Sequence, residues 1–244
     1  MEDFFTSFFD NDMTTPDAGV YSLSHLLWVV IIIFAVIVSF KALRNHPKGQ
    51  TVFIKMASIV MLVTTLLGKL AYFYETRNFW YFYPSQLCSL NAILLPIVLL
   101  FDLKWAREFS IATSLLGAVV TLAYPTRLFI GDHLTMRLID GILVHALLVI
   151  LPLFCILTKR FIPNPKKAYQ IAIGILIAAG AAEIVNSING TNFMYLRENP
   201  LPIFLPFSHL YLYAAMIILM ISLYYFLTMF GTTRKKNDFE KSNP

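Results

Sequence analysis

The chain has 244 residues, 58% of them hydrophobic and only 14% charged, and its mean hydropathy is +0.69. A soluble domain of this length needs far more charge on its surface, so lipid is the expected solvent for most of it. The formal net charge of +5 reflects a bias between loops and gives no ground for nucleic-acid binding.

Residues 1–22 hold Glu2, Asp3, Asp10, Asp12 and Asp17 and neither Lys nor Arg. They read as an acidic tail and not as a cleavable signal peptide, whose first region is basic. Apolar runs long enough to cross about 30 Å of hydrocarbon then recur near 23–43, 52–74, 85–101, 106–124, 138–158, 168–189 and 208–230. They show no period-2 alternation and exceed barrel strands in length. The expectation is an all-α membrane protein, a single seven-transmembrane-helix bundle over 23–230 followed by a basic tail at 231–244.

Alternate connections collect the cations: Lys41, Arg44, Lys48 and Lys55; Lys104 and Arg107; Lys159, Arg160, Lys166 and Lys167; and Arg234, Lys235, Lys236 and Lys241. These are 14 of the 19 Lys and Arg. The positive-inside rule puts them in the cytoplasm, the N-terminus outside and the C-terminus inside. The expected location is the cell membrane, crossed many times.

The outer connections are the richer ones. Five consecutive aromatics, Phe79 to Tyr83, form a collar at the interface, where a ring meets apolar and wet surroundings at once. Pro84 suits the first turn of the helix that follows. The connections at 124–137 and 190–207 exceed simple turns and read as an ordered cap or as functional loops. The sequon at Asn189 abuts the membrane and is discounted.

Polar side chains inside spans are costly and need a reason. They are Lys69 in helix two; Gln86, Cys88, Ser89 and Asn91 in helix three; His145 in helix five; and Glu183, Asn186 and Ser187 in helix six. Asn192 follows helix six, and His25 and His209 sit near the outer ends of helices one and seven. By helical rise, Cys88 lies roughly 5 Å, Lys69 and Glu183 roughly 8–9 Å and His145 roughly 10 Å below the outer boundary. Chain segments of opposite direction thus place polar groups in one layer. Glu183, Asn186, Ser187 and Gly190 follow i, i+3, i+4, i+7 and form one stripe. Asp140 stands about 140° from His145 around a 3.6-residue helix and reads as an interfacial partner for Arg137.

Each group also has a plain reading. Ser and Asn in membrane helices commonly bond a neighbouring helix, and a Cys in lipid commonly acts as a small hydrophobe. Lys69 either snorkels to the headgroups or pairs with Glu183. Cys155 is an internal control, an apolar-context thiol too far below Cys88 for a disulfide. A thiol near an imidazole can become a thiolate nucleophile, and Cys88 lies close to the depth of phospholipid esters. His145 would then act as base. Asn91, Gln86 or Asn186 would donate to the oxyanion, with Lys69, Glu183, Asn192 and His209 as further substrate-binding candidates. No metal site is expected, because neither His145 nor Cys88 has a partner at ligand spacing, and no cofactor is implied.

The stretches "QLCSLNAILLP", "VHALLVILPLF" and "NSINGTNFMYL" resemble the YwaF-like family of integral membrane proteins. That family is similar to a eukaryotic transmembrane acyltransferase that remodels ether phospholipids. The resemblance implies a Cys nucleophile in helix three and a His in helix five, which fall on Cys88 and His145. The family pattern commonly carries Tyr where this chain has Phe193. The function it implies is transfer of a fatty acyl chain between phospholipid and lysophospholipid substrates through a Cys thioester in the outer half of the membrane. The alternatives are a transporter or small-ligand receptor using the same pocket, with Lys69 and Glu183 as its charge pair, and a scaffold whose polar groups only lock helices together.

Overall fold

The computed structural model describes residues 22–123 and 136–197, together with positions 218, 219, 221, 222 and 226. Among the described residues the chain forms six α-helices and three short 3-10 turns, without a strand. The helices are α1 (Leu23–Leu43), α2 (Pro47–Thr76), α3 (Leu87–Leu100), α4 (Arg107–Ala123), α5 (Met136–Leu157) and α6 (Tyr169–Asn189). The expected seventh span and His209 lie outside the described residues, apart from the five positions just given, all of them helical. The 124–135 part of the second outer loop lies outside them too.

Local chemistry sets the helix limits. Ser22 caps α1 by accepting the His25 N–H at 3.3 Å. Pro47 starts α2 five residues earlier than the apolar run at 52–74 suggests, because its fixed φ suits a first turn. Gln50 then closes the junction by donating to the carbonyls of Leu43 and Arg44, both at 3.0 Å. At its other end α2 stops on Arg77, held left-handed at φ 53°. The first turn of α3 is fixed by Ser89, whose hydroxyl accepts the Gln86 N–H at 3.1 Å. Pro96 and Pro152 each remove one ladder bond inside α3 and α5, in spans where neighbouring helices supply the packing.

Among the described residues four segments are long and apolar enough to cross a membrane: His25–Leu43, Pro47–Tyr74, Asp140–Leu157 and Pro165–Asn189. Helix α3 is apolar but shorter. The surface pattern is that of a lipid-solvated bundle. Large apolar residues such as Val30, Phe34, Leu67, Leu176 and Ile184 face outward, while α4 is buried along most of its length, from Glu108 to Leu116. Helix α4 packs against α3, α5 and α6, and α5 packs in turn against α1, α2 and α3. Leu95, Ile111, Leu148, Leu151, Ile171 and Ile175 form the centre of the resulting core.

Candidate functional site

The aromatic collar is a platform. Asn78 accepts the Trp80 N–H at 3.0 Å and starts the 3-10 turn Phe79–Phe82. Tyr83 then stacks on Phe193 at 5.4 Å between ring centroids and 9° between planes. Burial pushes the Tyr83 phenol above its ordinary value, so it stays a neutral donor. The loop carrying Phe193 is held by Asn186 at the end of α6. The Asn186 side-chain oxygen accepts from the Phe193 N–H at 2.7 Å and the Thr191 hydroxyl at 2.8 Å, and its amide donates to the Phe193 carbonyl at 3.1 Å. The Met194 N–H reaches the Ser85 carbonyl at 2.7 Å and joins this loop to the α3 entry. Asn186 is fully buried and works as a clamp. Asn192 accepts the Arg197 N–H at 2.9 Å in the same loop.

Asn91 is also a clamp. It is fully buried and donates to the Leu87 carbonyl at 3.0 Å and to the Thr113 hydroxyl at 2.8 Å, while its oxygen accepts from Ser110 at 3.2 Å. Both of its amide hydrogens are therefore engaged between α3 and α4, which leaves none for an oxyanion. This corrects the expectation drawn from its depth.

The stripe expected on α6 divides. Asn186 faces the interior, whereas Glu183 and Ser187 are exposed. Glu183 pairs with Arg197 at 2.9 Å, and Ser187 donates to Glu183 at 3.3 Å and accepts from Arg197 at 3.0 Å. Glu183 is thus not the partner of Lys69. The acid within electrostatic reach of Lys69 is Asp140, on α5. A Cβ on Gly68 would fall 2.8 Å from an Asp140 carboxylate oxygen, so glycine there lets the carboxylate reach α2. The other oxygen, Oδ1, is buried without a hydrogen-bond partner among the described residues. Asp140 thus takes the place of Glu183 as the acid nearest in effect to Lys69, while the side chain of Arg137, the partner expected for Asp140, lies outside the described residues.

Cys88 sits in the first turn of α3, half-buried and free. Its sulfur lies 3.7 Å from the Thr121 hydroxyl on α4. Thr121 donates its single proton to the Gly117 carbonyl at 2.9 Å, so the thiol must be the donor to Thr121 Oγ1. A Cβ on Gly117 would fall 3.0 Å from the sulfur, so glycine makes room for the thiol against α4.

His145 Nδ1 lies 2.7 Å from the Gly141 carbonyl one turn earlier on α5. A carbonyl only accepts, so Nδ1 carries a proton and the neutral ring keeps its lone pair on Nε2. Among the described residues the thiol and the imidazole each bond to a different neighbour and not to one another. Their helices touch, and Cys88 is partly buried against the apolar core to which both helices contribute.

Two further residues bear on the site. His25 is 1% exposed, and its Nε2 donates to the Leu122 carbonyl at 2.7 Å, tying the start of α1 to the end of α4 beside Thr121. Thr121 itself was readable by depth. It lies about two residues, or roughly 3 Å, inside the end of α4, close to the level assigned to Cys88.

Packed apolar helices with buried polar clamps and several membrane-crossing lengths define a multi-pass helical membrane protein. The chain belongs to the TMEM164 family, whose model matches residues 20–232. No curated protein and no solved structure matches it.

Proposed function

We propose that this protein is an acyltransferase of the cell membrane that moves a fatty acyl chain between phospholipids through a thioester on Cys88, in the half of the membrane next to its N-terminus. The observation that carries this reading is the proton arrangement: a thiol aimed at a hydroxyl near one membrane boundary, and an imidazole on a touching helix whose Nε2 lone pair is kept available. The resemblance of the Cys88 and His145 segments to YwaF-like proteins supports it.

In this reading Cys88 Sγ attacks the ester carbonyl carbon of a donor phospholipid as its proton passes to His145 Nε2. The tetrahedral intermediate collapses by breaking the bond to the glycerol oxygen, which leaves with that proton as a lysophospholipid. An acceptor lysophospholipid hydroxyl then gives its proton to Nε2 and attacks the thioester, and the thiol departs with the proton returned. The imidazole closes on the sulfur when the ester binds, as catalytic hydrogen bonds commonly do on forming the Michaelis complex. With Asn91 engaged and the Ser89 amide bonded to the Gln86 side chain, the oxyanion donors are the amides of Leu87 and Cys88, which have no intrahelical acceptor. Gln86, the residue before α3, lies on the side of that helix away from Cys88 and supplies no second donor. The apolar surroundings limit water and favour transfer over hydrolysis.

The test is to incubate purified protein with acyl-labelled phospholipid and measure a hydroxylamine-sensitive protein adduct. Wild type and Cys155→Ala should carry the label and Cys88→Ala should not. Label retained by Cys88→Ala overturns the reading. One observation favours a second reading, a binding pocket without covalent chemistry: the Lys69–Asp140 pair, since intramembrane charges often mark ligand paths. Ligand uptake that survives Cys88→Ala but fails in Asp140→Asn would select it.

A further inference from the structure

A groove of about 510 Å³ runs along the bundle between α3, α4 and α6. Its walls are Leu90, Leu94, Phe109, Ile177, Ala178 and Ala181. On α3 the lining positions Gln86, Leu90 and Leu94 repeat every four residues and so share one face, about 120–160° around the helix from Cys88. The groove is therefore separate from the thiol.

Its dimensions select its occupant. From Gln170 to Ala181, α6 rises about 17 Å. Spread over that length, the volume gives a mean cross-section of about 30 Å². A single extended hydrocarbon chain fits. The small residues of α6 do not make a helix-docking face. A Cβ on Gly174 would fall 2.3 Å from the Phe109 ring, so that ring already fills the gap through which a helix would approach.

Polarity sets the direction. One end reaches Trp105 and Gln170, and Gln170 Oε1 is buried there without a hydrogen-bond partner among the described residues. Lys104 precedes Trp105, and Lys166 and Lys167 form the 3-10 turn that leads into α6; Lys104 and Lys166 are exposed. The opposite end is lined by Tyr83, Gln86 and Met194, and Arg197, three residues after Met194, is already paired with Glu183. A cationic rim with an unpartnered acceptor below it matches a phosphate followed by a hydroxyl.

We propose that this groove is a binding site for one acyl chain of an anionic, hydroxyl-bearing phospholipid drawn from the leaflet at the basic end of the bundle. Its phosphate meets Lys104 and Lys166, a headgroup hydroxyl donates to Gln170 Oε1, and the chain runs toward Met194. The site lies at the opposite end from the proposed thioester chemistry and goes beyond it.

The experiment uses full-length Cys88→Ala protein in phosphatidylcholine vesicles containing phosphatidylglycerol with a diazirine in one acyl chain, so that acyl transfer plays no part. After irradiation, adducts should concentrate on the peptides of Leu94 and Ala178. Ala178→Phe, or Leu94→Trp from the facing wall if the first variant does not fold, should lower them about tenfold, equivalent to withdrawing roughly two methylenes from the groove. Lys104→Gln with Lys166→Gln should remove the preference over a diazirine phosphatidylcholine. Adducts spread evenly over the outward faces of α1 and α6, equal labelling by the two lipids, or copies of the chain cross-linked through α6 would each overturn the proposal.

Discussion

The two cysteines of this chain are the same functional group in different company. Cys155, 2% exposed on α5, is packed into the apolar core and has no side-chain hydrogen bond among the described residues, with Arg107 and Arg160 only within electrostatic reach. Cys88 is half-buried in the first turn of α3, donates to Thr121 on another helix and faces a glycine that leaves it room. The first arrangement is what packing alone produces. The second needs three residues in register across two helices, two of them contributing nothing to apolar burial. Composition cannot separate two buried thiols, but their neighbours can.

The largest expected break in this comparison is at His145. His145→Gln keeps the volume but removes the base, and acyl transfer should fall by about 10²–10⁴-fold, measured as product lipid by mass spectrometry. Cys155→Ala should leave the rate unchanged. A smaller effect is expected at Gly117. Gly117→Ala places a methyl 3.0 Å from the sulfur, and displacing a nucleophile by even part of an ångström costs up to about 10²-fold; adduct formation should slow while thermal stability changes little. Next comes Thr121. Thr121→Val leaves the thiol without its acceptor and should slow adduct formation about tenfold, as expected for one neutral hydrogen bond, with Thr121→Ser restoring it. The smallest expected change is in stability. Asn91→Ala strands Thr113 and Ser110 and should cost about 1–2 kcal/mol in detergent unfolding, with residual activity per folded molecule preserved.

The helices were legible because lipid demands continuous apolar runs, and five of the six observed helices match those runs within two residues at each end. The exception, the early start of α2, was hidden because Lys48 and Gln50 lower hydropathy while Pro47 and the Gln50 bonds fix the helix. Direction around the axis between helices was not legible. Lys69 and Glu183 were assigned one depth, yet α2 faces α5 while Glu183 points outward to Arg197. Asp140 was set aside on the periodicity of its own helix, but its neighbours Gly68 and Lys69 lie on another. Asn91 and Asn186 were recognised as buried polar groups. Their roles as clamps depend on Thr113, Ser110 and a returning loop that no single-helix pattern reveals.

The most direct test is peptide mapping of the protein trapped during turnover with a phospholipid donor and no acceptor. The predicted result is one fatty acyl mass on the peptide containing Cys88 and none on that containing Cys155. An acyl group on another side chain, or product lipid formed with no acylated protein at any time, would contradict the account.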